Sequence, residues 1–513
     1  MLKKRVLYND FTNIHRLQII NELYTNQKWD PIYISGQSPS SVINKVKEKY
    51  PSCLVQDSME LRKAQFDFKD IGKPVPIDER ITDSLSKYEF NFLEMLGNFQ
   101  DSTGWNYSFE ERKNYYFDIL RYWNTVIKNL KPDIFVSFAL PHAPNCYSLY
   151  LLCKYYGIDV LFLDPIPLLN QNYHLVGISI EDLHAPIIDT YNSTEKLKLS
   201  DDVSQYFNEL RSKNAKMPNY IIENLNIFED YSPIFRFRPF IELLFLTLCK
   251  GTGFLKHMDI KKNKKPYYMF ESRMNMFEYF LYVESIRRKS KRLIKYYKPL
   301  CVTPDFNKKY IYFAASYQPE ASTATNAGAY KSFLLTLDML SNIIPNDWVI
   351  YYKENPTTFS NSHLTKGAKQ RNKYYYERIN TYKNINLVSS DISTFDLIDY
   401  SQVVATVSGT VAWEAAIRGK PALSFGSAWY MGCKSIFKIK TMQDAREALK
   451  LIIDGFNPEQ KDIERYAAAI EKVAVKSMLL RDFYTEIEKC VDQDYELARI
   501  ANAIKKAHEK HYS

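Results

Sequence analysis

The chain has 513 residues, a formal charge of +9 and a hydrophobic fraction of 46%. That length allows two or three domains, and that apolar content excludes wholesale disorder. Seven cysteines without a CxxC pair argue against a disulfide framework or a cysteine-rich zinc site, and point to a reducing, cytoplasmic setting.

Along the chain, the basic N-terminus MLKKRVLYND runs straight into a strand-like segment and lacks the apolar core of a signal peptide. Short β-branched and aromatic runs then alternate with helical periods. Strands are predicted over Lys4 to Asp10, Trp29 to Ser35, Pro132 to Phe138 and Ile158 to Asp164. A helix is expected around His15 to Leu23, and another from the turn PHAPN through Tyr156. This alternation indicates a parallel sheet with crossover helices over residues 1–192.

Between 193 and 305 the rhythm breaks into long helical, basic, aromatic stretches, read as a helical connector or insertion. Its apolar run FIELLFLTLCKGTGFL, Phe240 to Leu255, is too short to span a bilayer. Lys256 to Lys298 holds 13 Lys/Arg against 4 Asp/Glu, an excess equal to that of the whole chain. No nucleic-acid motif accompanies this charge, and no nucleic-acid partner is expected. It suits an anionic membrane surface along 240–298, at ~1 kcal/mol per basic residue, or a solvated helix face.

A second α/β unit is expected over 306–475, with a helical tail over 476–513. Its strands are predicted at Lys309 to Ala315, Asp347 to Lys353 and Asn384 to Ser390, and in VVATVS and PALSF. A helix over Ala327 to Ile344 carries Phe333, Leu334, Leu337, Leu340 and Ile343 on one stripe. Ligands of such sheets sit beyond the carboxyl ends of the strands, so the loops after strands are the candidate sites.

Three loops of the second unit qualify. After its first strand comes ASYQPEAST, with Gln318 and Glu320; after the second comes KENPTTF, with Lys353 and Asn355. The third is Ser408-Gly409-Thr410, a turn opening a helix that carries Glu414. There Gly409 permits close backbone approach, and Ser408 or Thr410 is expected to cap the helix or bind an anion. In the first unit His142, in LPHAP, follows a strand and is of the residue type that most often transfers protons. No metal cluster is evident; Asp492-Gln493-Asp494 lies in the tail and reads as a solvated acidic patch.

YFAASYQPEAST, the KENP segment and TVSGTVAWEAAIRGKPALSFG together resemble the bacterial capsule and surface-polysaccharide glycosyltransferases, which include β-Kdo transferases. The resemblance is clearest over Lys309 to Gly432, and FALPHAPNCYSLYLLCKYYGIDVLFL is similar to that family's Pro-His loop. It implies a GT-B fold of two Rossmann-like domains facing a cleft, metal-independent and without cofactor. A nucleotide-sugar donor, such as a CMP-activated ulosonic acid, would lie on the C-terminal domain. A lipid-linked or oligosaccharide acceptor would face the N-terminal one. By the same resemblance Gln318 and Glu320 would lie at the donor sugar, Lys353 at the phosphate, and Ser408 to Thr410 with Glu414 at the nucleotide. Glu320 is then the first candidate for the catalytic base and His142 the second. The family's His-Pro is Asn355-Pro356 here, and Asn brings a hydrogen bond without the charge. The alternatives are a CDP-alcohol-dependent polyol-phosphate transferase and a non-catalytic assembly protein of the same fold.

Overall fold

A computed structural model describes residues 3–62, 64–97, 107–169, 173–213, 215, 276–318, 327–359, 367–477 and 493–512. Among these are fourteen strands in two seven-stranded sheets.

The first sheet contains β1 (Lys4–Asn9), β2 (Trp29–Gly36), β3 (Leu54–Asp57), β4 (Ile134–Ser137), β5 (Asp159–Ile166) and β6 (Tyr173–Gly177), with β14 (Val475–Lys476) from the far end of the chain. Its order is β14-β6-β5-β4-β1-β2-β3, parallel from β3 to β5. β6 runs antiparallel to both β5 and β14.

The second sheet holds β7 (Cys301–Val302), β8 (Tyr310–Ala314), β9 (Val349–Lys353), β10 (Ile385–Val388), β11 (Val403–Thr406), β12 (Ala422–Ser424) and β13 (Ile436–Lys438). Its order is β13-β12-β11-β8-β9-β10-β7, parallel throughout. The core strands of both sheets follow the Rossmann order. The first strand of each lies centrally, and the direction of winding reverses beside it. This is the two-domain GT-B architecture that the motifs implied.

The strands form where buried apolar runs allow it: Tyr310 to Ala314 and Val403 to Thr406 are buried throughout. Continuous burial is what two helical layers impose on a parallel sheet. The helix expected over Ala327 to Ile344 is split into a 3-10 turn Gly328–Lys331 and a helix Phe333–Ser341. Ser332, extended at φ −79°, ψ 99°, separates them.

The described parts of the connector and tail are built into the two domains. Helix Met276–Tyr297 lies on the second sheet, where the Tyr297 hydroxyl donates to the Val388 carbonyl at 2.6 Å. Ile286, Ser290, Leu293 and Tyr297 are buried along one stripe of it, and Arg288, Lys289, Lys291, Arg292 and Lys295 are exposed on the other faces. The tail does not stand apart: β14 joins the first sheet, and helix Gln493–Tyr512 packs on helix Ile14–Gln27. Its Leu497, Ile500 and Ile504 share a core with Val6, Tyr8 and Leu17.

Helix Gln460–Val473 bridges the domains. Arg465 donates to the carbonyls of Tyr191, Ser193 and Glu195, satisfying the open end of helix Ala185–Asn192. Trp413 packs edge-on against Phe207 and Trp429 beside Tyr466, so one apolar core runs through both domains. Among the described residues no helix is long and apolar enough to cross a membrane.

Candidate functional site at the carboxyl ends of the strands

In the second sheet the reversal of winding falls between β8 and β11. The loops leaving these strands, from Ala315 and from Val407, therefore diverge and leave a crevice between them. Gly409 lies in it. A Cβ at Gly409 would stand 2.9 Å from Thr406 Oγ1 and 3.4 Å from Ser316 Oγ, so glycine keeps this space open. The Ser316 hydroxyl oxygen is buried and bonds to no group among the described residues. Among the described residues, none accepts a bond from the backbone N–H of Ser408, Gly409 or Thr410. The turn is pinned from behind, where Tyr430 Oη donates to the Gly409 carbonyl at 2.7 Å.

Thr410 does not cap the helix Val411–Ile417: its backbone is helical and its hydroxyl instead donates to Glu414 Oε1 at 3.1 Å. Glu414 is only 6% exposed, and burial raises its carboxyl pKa against the opposing effects of Thr410 and Arg418.

The residues of the loop after β9 are already engaged with protein. Lys353 is buried, and its Nζ donates to the Ile392 carbonyl and to Thr394 Oγ1 at the adjoining β10 loop. Burial lowers the Lys353 pKa to about 8, with Asp391 acting in the opposite direction. Asn355 Oδ1 accepts from the Thr357 N–H at 3.0 Å and from Thr357 Oγ1 at 2.6 Å. It thereby closes an Asx turn, which needs no charge.

Sequence reading passed over the neighbour, Glu354. It is buried and accepts from Arg371 Nε at 2.7 Å, Tyr352 Oη at 2.8 Å and Tyr376 Oη at 3.2 Å. Arg371 in turn donates from Nη1 to Gln318 Oε1 at 2.7 Å, and its guanidinium lies over the Tyr375 ring. Gln318 Nε2 donates to the Lys331 carbonyl at 2.7 Å, so both ends of its carboxamide hold protein groups. Glu320 lies outside the described residues.

His142 sits at the corresponding reversal of the first sheet, in the loop after β4 beside β1. A carbonyl only accepts, so the 2.6 Å contact with the Leu140 oxygen makes Nδ1 the protonated nitrogen. In the neutral ring Nε2 then carries the lone pair.

The two crevices are connected. Lys331 Nζ donates to Asn91 Oδ1 at 3.0 Å and pairs with Glu94, both on helix Glu79–Gly97 of the first domain. The Asn91 side chain reaches Tyr147, on the helix that follows His142. Ser316, Lys331, Glu354 and Arg371 thus join the expected residues. Only Glu354 and Ser316 lie within the loops ASYQPEAST and KENPTTF, and position beside a strand end was the one signal available for them.

No protein-family model matches the chain, and no curated protein matches it. Solved structures with a similar arrangement do exist. The β-Kdo 2,7-transferase KpsC of Thermosulfurimonas dismutans aligns over 97% of this chain and 99% of its own, at 11% identity and a TM-score of 0.32. The UDP-GlcNAc 2-epimerase of Methanocaldococcus jannaschii aligns over 92% and 100%, at 12% identity and a TM-score of 0.25. HepE of Anabaena, solved with UDP and glucose, aligns over 98% and 100%, at 9% identity and a TM-score of 0.25. Such low values leave activity and substrate to be argued from the site itself.

Proposed function

We propose that this chain is a glycosyltransferase of bacterial surface-polysaccharide assembly, acting at the cytoplasmic face of the membrane. The observation that carries the reading is the crevice around Gly409. There a hydroxyl and backbone N–H groups that are unpartnered among the described residues lie at the reversal point of a Rossmann sheet, within a motif set resembling that of capsule transferases. The donor is a nucleotide-activated sugar, of which a CMP-linked ulosonic acid is the first choice.

In this reading the donor phosphate lies against the N–H groups of Ser408 to Thr410 and the Ser316 hydroxyl. Charge that develops on the leaving nucleotide is stabilised there by fixed donors. Lys353 contributes from behind as a buried cation, and Glu414 orients the Thr410 hydroxyl toward the nucleotide. The acceptor hydroxyl gives its proton to His142 Nε2, or to Glu320, as its oxygen bonds to the anomeric carbon and the bond to the phosphate oxygen breaks. The acceptor is a lipid-linked or growing glycan. The exposed basic face of helix Met276–Tyr297 serves as a contact for anionic lipid.

Calorimetric titration with CMP, CDP and UDP, followed by mass analysis of products formed on crude membranes, tests the reading. Binding of CMP and addition of a sugar mass support it. Transfer of a polyol phosphate identifies the CDP-alcohol alternative, and absence of all nucleotide binding overturns the donor site. Neutralising the exposed basic face without loss of vesicle binding removes the membrane contact.

A further inference from the structure

Lys331 belongs to none of the strand-end motifs, yet it links Gln318 of the donor loop to the first domain. It closes the 3-10 turn Gly328–Lys331. Its backbone carbonyl takes the hydrogen bond from Gln318 Nε2, while its ammonium crosses to helix Glu79–Gly97. There it bonds Asn91, pairs with Glu94 and lies 4.3 Å from the centre of the Phe90 ring. Its side chain is 10% exposed, while Glu94 across from it is 38% exposed, so the ammonium is held under a surface that its partners share with water.

On its other side Gln318 is held by Arg371, and Arg371 by Glu354. This inner pair is an expensive way to gain stability. Both side chains are almost wholly buried, and Arg371 Nη2 bonds to no group among the described residues. Buried ion pairs contribute little net stability over apolar packing, and an unsatisfied donor lowers that further. What the pair does supply is a fixed position for Gln318.

We propose that Lys331 is a positioning residue for the transfer reaction. Through it, the geometry of the loop at the β8 end of the donor crevice is imposed on helix Glu79–Gly97, which packs on the helix that follows the His142 loop, and this sets the two halves of the site in register. The inference rests on the donor-site reading above. It assigns to Lys331 no contact with either substrate.

The test compares Lys331→Met, Lys331→Arg and the exchange Lys331→Glu with Glu94→Lys. Misplacement by about 1 Å costs on the order of 100-fold in rate. Lys331→Met is therefore expected to lower kcat by about 10- to 100-fold while the CMP dissociation constant moves less than about twofold. Lys331→Arg and the charge exchange are expected to recover most of the rate, which a merely unfolded variant would not do. Hydrogen exchange, which needs no substrate, is followed in the same variants over helix Glu79–Gly97 and over residues 328–341. Faster exchange in both segments for Lys331→Met, reversed in the exchange variant, supports the clasp. Unchanged exchange in Lys331→Met overturns it, as does an unchanged kcat. A wild-type chain that binds no nucleotide defeats the donor reading, and the exchange data then decide the clasp alone.

Discussion

The two sheets share one winding order and differ in what occupies the point where it reverses. In the second sheet that point is left open by the described residues: glycine at 409, a buried hydroxyl at Ser316 and backbone N–H groups that none of them accepts. In the first sheet it is filled by the protein itself. Arg16, 2% exposed, donates to the Asp10 carbonyl and the Thr12 hydroxyl, pairs with the Asp10 carboxylate at 3.1 Å and lies over the Phe138 ring. Asn9 meanwhile bonds Ser35 and Ser137, the corresponding residues of the two flanking strands. Topology therefore provides a crevice in both domains, and side chains decide which one is left open. The first sheet keeps His142 at its rim, on what the proposed reaction makes the acceptor side.

That contrast can be broken by substitution. The largest effect is expected at the rim of the filled crevice. His142→Gln should lower kcat by about 10²- to 10⁴-fold in steady-state assays, as for loss of a general base, with the CMP affinity intact. Next comes the open crevice. Gly409→Val puts a side chain against Thr406 Oγ1 and Ser316 Oγ. It should weaken CMP binding by about 100-fold, ~2.7 kcal/mol, in calorimetry.

Arg16→Met provides the opposite control. It should cost about 2 kcal/mol in urea unfolding, because buried carbonyl and hydroxyl partners are left unmatched, and leave CMP affinity unchanged. A nucleotide effect of Arg16→Met comparable to that of Gly409→Val would erase the distinction between the crevices.

The smallest effect concerns Lys353, whose pKa falls from 10.5 to about 8 on folding. Between those values the unfolded chain holds a proton that the native chain has released, so this residue makes stability rise with pH across that window. Lys353→Met should flatten the rise relative to wild type by roughly 1 kcal/mol in denaturant titrations at pH 8 and pH 9.

How much of this was legible depended on the range of the interaction. The predicted strands around Lys4, Trp29, Tyr310 and Val403 and the turn at Ser408 all appear, because short buried runs broken by polar turns are local signals. The crevice at Gly409 followed from the same locality, since a glycine between a strand and a helix is visible in one stretch of chain. The parts that were not legible are pairings across the chain. β14 is two residues long and finds β6 some three hundred residues away, so the tail gave no sign that it completes the first sheet. Gln318 reads as a ligand contact in a polar loop, but its carboxamide is held by Arg371 and Lys331. Asn355 reads as a lost charge, but its side chain closes the turn that positions Thr357.

The central claim is that the nucleotide binds in the open crevice and not in the filled one. A crystal structure of the chain with CMP tests it most directly. The account predicts the phosphate within hydrogen-bonding distance of the Ser408 to Thr410 N–H groups, between the ends of β8 and β11. A nucleotide seated instead beside Asp10 and His142, at the ends of β1 and β4, would contradict it.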